Sequence, residues 1–180
     1  MVEQKGPIPG EFALQLKRSR RNSKDVTLDD EVFNKIVQCS RGLAIQKPTE
    51  RTAVCLIKGV KMNGRPVSRG DVCVVTNFVH RRDHAHAGDT TSQGVCTVCC
   101  FYQIKCHDGH EVFADVIMVD TTHKIRSMFI MEKASVGLSD SSHTRARVFI
   151  HVDMIVQKMH IAPHFDDPTL VCGIPMWDTR

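Results

Sequence analysis

Apolar and polar positions are most regularly patterned between Cys55 and Asp120. LIKGVKMNGRPVSRGDVCVVTNF opens this stretch, and VCTVCCFYQIKCHDGHEVFADVIMVD closes it. Each half holds two β-type runs, broken at Asn63-Gly64 in the first and at Asp108-Gly109 in the second. Asn-Gly and Asp-Gly supply the left-handed backbone that tight turns need, so each half predicts a hairpin. The first should run from about Thr52 to Val60 and from Pro66 to Thr76, with a connection longer than two residues. The second should occupy Gly94 to Asp120. Val72, Val74 and Thr76 alternate with Cys73, Val75 and Asn77, so this strand is apolar on both faces and belongs inside a sheet.

The flanks predict less regular elements. Pro7, Pro9 and two glycines in residues 1–10 oppose regular structure. Glu11 to Leu16 alternates weakly. Thr27 followed by Asp30 resembles a capping box, Asp29, Asp30 and Glu31 suit a helix N-terminus, and Leu28, Val32, Ile36 and Cys39 share one face. A helix over 27–42 follows, stopped at Ser40-Arg41-Gly42. The three adjacent acids therefore read as helix-start residues, not a catalytic group. Leu43-Ala44-Ile45 suggests a brief strand. Downstream, Ile125–Glu132, Arg147–Asp153, Met159–Ala162 and Thr169–Ile174 read as strands, with a helical turn at 153–158 and a turn from Pro163 to Pro168. His80–Gln93 and Gly137–His143 are polar loops, and long loops of this kind often carry function. Several short strands joined by polar loops predict a mainly β barrel or sandwich. The expected organisation is a flexible basic segment at 1–26, the helix at 27–42, and a β-barrel domain at 43–180.

Composition narrows the class. At 180 residues and 42% hydrophobic, the chain has the material for one real core. It contains no run of eighteen apolar residues and opens without an apolar signal segment, which predicts an intracellular protein. Its eight cysteines are then expected to be reduced, as core thiols or metal ligands. Much of the net charge of +4 lies in Lys17-Arg18-Ser19-Arg20-Arg21, a pattern shared by nuclear-targeting segments, nucleic-acid patches and solvated tails.

Three groups of residues invite a chemical reading. Cys96, Cys99, Cys106 and His110 are of the types that hold zinc, and C-x-x-C can place two thiolates on one ion. On a strand, however, Cys96 and Cys99 face opposite sides, which favours core cysteines. His80, His84 and His86 with Asp83 and Asp89 form a second group, and His160 with His164 a third. Neither has the helical spacing of a known zinc motif. Nucleophile-elbow, phosphate-loop and dinucleotide glycine motifs are absent from the sequence, so an enzyme is not predicted. Lys17, Arg18, Arg20, Arg21, Arg81, Arg82, Lys124 and Arg126 are the candidate contacts to a nucleic-acid backbone, for which charge suffices. Aromatics suited to base stacking are few, and the sequence offers no recognition helix.

GVKMNGRPVSRGDVCVV with VCTVCCFYQIKCHDGHEVFADV resembles the opening of bromo-adjacent homology (BAH) domains, where an apolar hairpin leads to Gly-Asp and a valine-rich strand. VFIHVDMIVQKMHIAPHF, followed by TLVCGIP, resembles the C-terminal β-domain of large eukaryotic transposase-like proteins of mobile elements. Together these resemblances span about Thr52 to Pro175. They imply a small BAH- or SH3-like β-barrel with one short N-terminal helix, acting without catalysis in a chromatin or mobile-DNA setting in the nucleus. A methyl-lysine cage on the BAH pattern has only Phe101, Tyr102 and Trp177 to draw on, and adjacent strand residues face opposite ways. The expected function is binding of a protein partner or of DNA backbone through the polar loops. No membrane or small-molecule partner is expected. The alternatives are a zinc-stabilised β domain and an enzyme of unfamiliar type.

Overall fold

The computed structural model describes residues 14–15, 23–43, 45–62, 64–76, 93–138, 145 and 147–176. In chain order these form β1 (Leu14–Gln15), β2 (Ser23–Thr27), helix α1 (Asp30–Leu43), β3 (Pro48–Leu56), β4 (Val60–Met62), β5 (Arg65–Val67) and β6 (Val72–Thr76). Then come β7 (Gln93–Cys106), β8 (Gly109–Met118), β9 (Thr121–Ile125), β10 (Met128–Glu132), β11 (Arg147–His151), β12 (Ile155–Pro163) and β13 (Leu170–Pro175). The protein is mainly β.

The pairing centres on β7, whose run GVCTVCCFYQI is apolar on both faces. Along one edge it pairs with β8 across a two-residue turn, from Cys106 opposite Gly109 to Cys96 opposite Met118. Its other edge is divided between two strands. The N-terminal half takes β6, with Val72 opposite Thr97, and the C-terminal half takes β3, with Cys55 opposite Tyr102. β2 extends the sheet beyond β3, and β11 extends it beyond β8. From β6 the order continues through β12, β13 and β10 to β9, giving a ten-stranded antiparallel sheet. No pairing among the described residues joins β9 back to β11, so the expected barrel is not closed by strand pairing. The two predicted hairpins also differ in extent. A hairpin does join β4 to β5, with Met62 opposite Arg65 and Gly64 at φ 73°, but it belongs to a separate small sheet with β1. β3 and β6 pair with β7 and not with each other.

Three apolar clusters fill the space around the sheet, and β7 contributes to each. Val98 and Phe101 join Met62, Val67 and Ile155 under the β4–β5 hairpin. Val95 joins Val74, Phe129, Met131 and Met159. Ile104 joins Leu28, Ile36, Phe113 and Phe149 beneath α1. Full burial of a side chain of this size contributes about 1.5–3 kcal/mol. Such double-sided burial explains why both faces of β6 and β7 are apolar.

Helix α1 starts three residues later than the sequence pattern predicts. Thr27 ends β2 opposite Thr52, and Asp29 caps the helix, its Oδ1 accepting from the Val32 amide at 2.8 Å. A carboxylate at this position satisfies an otherwise unpaired amide and favours the positive helix end, so Asp29 serves in place of Thr27. β2 likewise brings Ser23–Val26 into the sheet, although the sequence pattern assigns those residues to a flexible segment.

Candidate functional site

The loop between β12 and β13 is short, polar and tied to itself. His164 Nδ1 accepts hydrogen bonds from the amides of Asp166 at 3.3 Å and Asp167 at 3.0 Å. Asp167 Oδ1 then accepts from the Thr169 amide at 2.8 Å and its hydroxyl at 2.6 Å. These bonds from the Thr169 hydroxyl and then its amide hold the Asp167 carboxyl below the usual range. Pro168 fixes one backbone torsion between them. The loop is anchored from below by the Lys133 amide, which donates to Thr169 O at 2.9 Å.

This framework presents one aromatic ring to solvent. Phe165 is 93% exposed, and its ring stacks on His164 with centroids 4.8 Å apart. Beside it lies a depression of about 310 Å³ lined by Lys133, Pro163, Asp166, Pro168, Leu170 and Val171, together with His164 and Phe165 themselves. An exposed apolar ring on a pre-ordered loop loses little conformational entropy when covered, which is the property of a binding anchor. The sequence pattern identifies this segment only as a turn. The available signal was a phenylalanine placed among turn-forming residues, where no core exists to receive it. No protein-family model, curated protein or solved structure matches this chain. The geometry of the molecule therefore carries the functional reading.

Of the candidate nucleic-acid contacts, Lys17, Arg18, Arg20, Arg21, Arg81 and Arg82 lie outside the described residues, as do His80, His84, His86 and Trp177. Lys124 and Arg126 fall at the β9–β10 turn, the end of β10 farther from Phe165. Lys124 Nζ donates to Gln93 Oε1 at 2.7 Å and lies 4.8 Å from the centre of the Phe129 ring. Arg126 occupies the turn with φ 54°. His160 is exposed on β12, whereas His164 is the loop-organising residue.

The four candidate zinc ligands are not brought together. Cys96 and Cys106 stand ten residues apart on β7, about 30 Å at strand rise. The register shift between Val98 and Cys100 leaves Cys99 beside Arg147, whereas Cys96 packs in the cluster under the β4–β5 hairpin, and His110 is exposed opposite Lys105. Among the described residues no three His, Cys, Asp or Glu side chains are grouped to hold a metal ion. Phe101 and Tyr102 are also separated, Phe101 under the β4–β5 hairpin and Tyr102 on the α1 side.

The register shift instead builds a polar cluster on the α1 side of the sheet. Asp115, 3% exposed, takes Arg147 Nη2 at 2.8 Å and Nε at 3.2 Å. Burial raises the Asp115 carboxyl above its usual value, and Arg147 offsets part of the rise. The Cys99 thiol meets the same guanidinium. Nearby, Cys55 Sγ and Cys100 Sγ are 2.8 Å apart. Burial pushes the Cys73 and Cys100 thiols up to about 12 and Cys96 well above its ordinary value, so these sulfurs are protonated at neutral pH and are poor nucleophiles. Toward the β7–β8 turn, buried His151 holds Glu111 Oε2 at 2.7 Å through Nε2 and accepts from the Asp153 amide at Nδ1. The Asp115–Arg147 and Glu111–His151 pairings join residues 32 and 40 positions apart, which is why spacing alone did not reveal them.

Proposed function

We propose that this chain is a non-catalytic interaction module that binds a protein partner through Phe165 and the depression beside it. The ring inserts into an apolar socket on the partner while Lys133 and Asp166 at the margin of the depression meet complementary polar groups. The observation that carries this reading is the 93% exposure of Phe165 on a loop whose own hydrogen bonds already hold it in place. Folded proteins place few large aromatic rings so fully in water, and phenylalanine is enriched where partners dock. The protonated thiols support the non-catalytic part of the reading. The resemblance to transposase-like and BAH proteins supports a mobile-DNA or chromatin setting, with the partner a nuclear protein.

Photo-crosslinking tests this assignment. A benzophenone amino acid at position 165 should yield one discrete protein adduct in cells, while the same probe at exposed Ile57 should not. Asp167→Ala, which releases the Thr169 contacts, should weaken the adduct without altering the far-ultraviolet circular dichroism. Identical adducts at positions 165 and 57, or a nucleic-acid adduct at 165, would overturn the proposal.

A further inference from the structure

Cys55 and Cys100 come from β3 and β7, and 44 residues of chain separate them, yet their sulfurs lie 2.8 Å apart. The pair sits where the edge of β7 has just passed from β6 to β3, one position beyond the register shift at Cys99. Both side chains are half-buried, so a small oxidant can reach them. By contrast, Cys73 and Cys96 stand directly opposite each other on β6 and β7 but are fully buried.

We propose that Cys55 and Cys100 form a redox modification site, in which a peroxide converts the two thiols to a cross-strand disulfide. One thiol, as its thiolate, attacks a peroxide oxygen to give a sulfenic acid, and water leaves. The second thiol attacks that sulfenic sulfur, the S–S bond forms, and a second water leaves. Two electrons and two hydrogens thus pass from the thiols to the peroxide. Burial, and then the neighbouring Cys55, pushes the Cys100 thiol up to about 12, so Cys55 is the thiol that attacks the peroxide. Cys100 resolves through its proximity at 2.8 Å, giving its proton to the departing hydroxide. The product ties β3, with β2 and α1 attached to it, covalently to the central strand.

The intact chain is treated with hydrogen peroxide, its free thiols are alkylated, and it is digested with trypsin without reduction. Peptide 52–58 should be recovered joined to peptide 83–105, with fragment ions placing the bond at Cys100 and not at Cys96 or Cys99. The oxidised protein should melt at a higher temperature, and dithiothreitol should reverse the rise. In Cys100→Ser, the resolving thiol is missing, so a dimedone probe should trap a sulfenic acid at Cys55. A bond between Cys73 and Cys96, or sulfinic acid at Cys55 in the wild type without the cross-link, would sink the idea. So would the absence of dimedone labelling in a folded Cys100→Ser protein.

Discussion

Asp115 is a carboxylate set in the otherwise apolar strand run FADVIM, and its environment makes two measurable demands. Arg147 supplies its two charge-assisted hydrogen bonds. Arg147→Ala leaves the buried carboxyl without them and should cost about 1–3 kcal/mol in denaturant unfolding. The second demand is a pH dependence. The folded carboxyl titrates above its usual value of about 4 because burial disfavours its charge. Between those two values the folded chain holds a proton that the unfolded chain has released. This contribution to stability is therefore full below the ordinary carboxylate value and is lost as pH rises through the folded one. Unfolding free energies measured across that window should fall with rising pH. The fall should extend to higher pH in Arg147→Ala, which lacks the offsetting cation, and should vanish in Asp115→Asn. Asp115 was visible in the sequence as a polar residue interrupting an apolar strand. Its partner was not, because nothing local links it to a residue 32 positions away. Phe165 is the converse: the surrounding turn was legible, but its exposure depended on what packs nearby.

Elements were legible where short-range sterics set them. Gly64 turns β4 into β5, the β7–β8 turn falls at His107-Asp108, one residue before the Asp108-Gly109 break that the sequence pattern predicts, and the apolar face of α1 was read from residue spacing. The β9–β10 turn was missed, and Ile125–Glu132 was read as one strand. Neither Gly nor Asn marks the turn, and Arg126 adopts the left-handed conformation that usually selects those residues. Gly59 shows how strongly one position can constrain an element. It lies between β3 and β4 at φ 80°, and an added Cβ would run into the Val67 carbonyl of β5. Gly59→Ala combines left-handed strain with a backbone clash, so it should cost at least about 1–3 kcal/mol and loosen the β4–β5 hairpin from Val98 and Phe101 of β7. Gly173→Ala is the control. There the closest atom is the terminal methyl of Met131, which can swing aside, so its thermal melt should move much less.

For the molecule as a whole, β7 is the strand on which stability depends. It pairs with β3, β6 and β8 and supplies side chains to all three apolar clusters. Native-state hydrogen exchange should find its amides among the slowest, and those of β9, exposed at every position, among the fastest. Phe101→Ala removes a fully buried ring and should cost about 3–5 kcal/mol, slowing no exchange and accelerating that of β7 and β8 together. The sequence by itself determined the mainly β class, the two-sided burial of β6, the helix face and two of the turns. These follow from alternation, periodicity and backbone sterics acting over a few residues. Tertiary structure alone decided that β7 shares one edge between β3 and β6, that the sheet runs on through β12 to β9, and that Cys55 meets Cys100. Those contacts join segments tens of residues apart. They depend on which strand edges remain to be paired and which apolar faces remain to be covered once the local elements have formed.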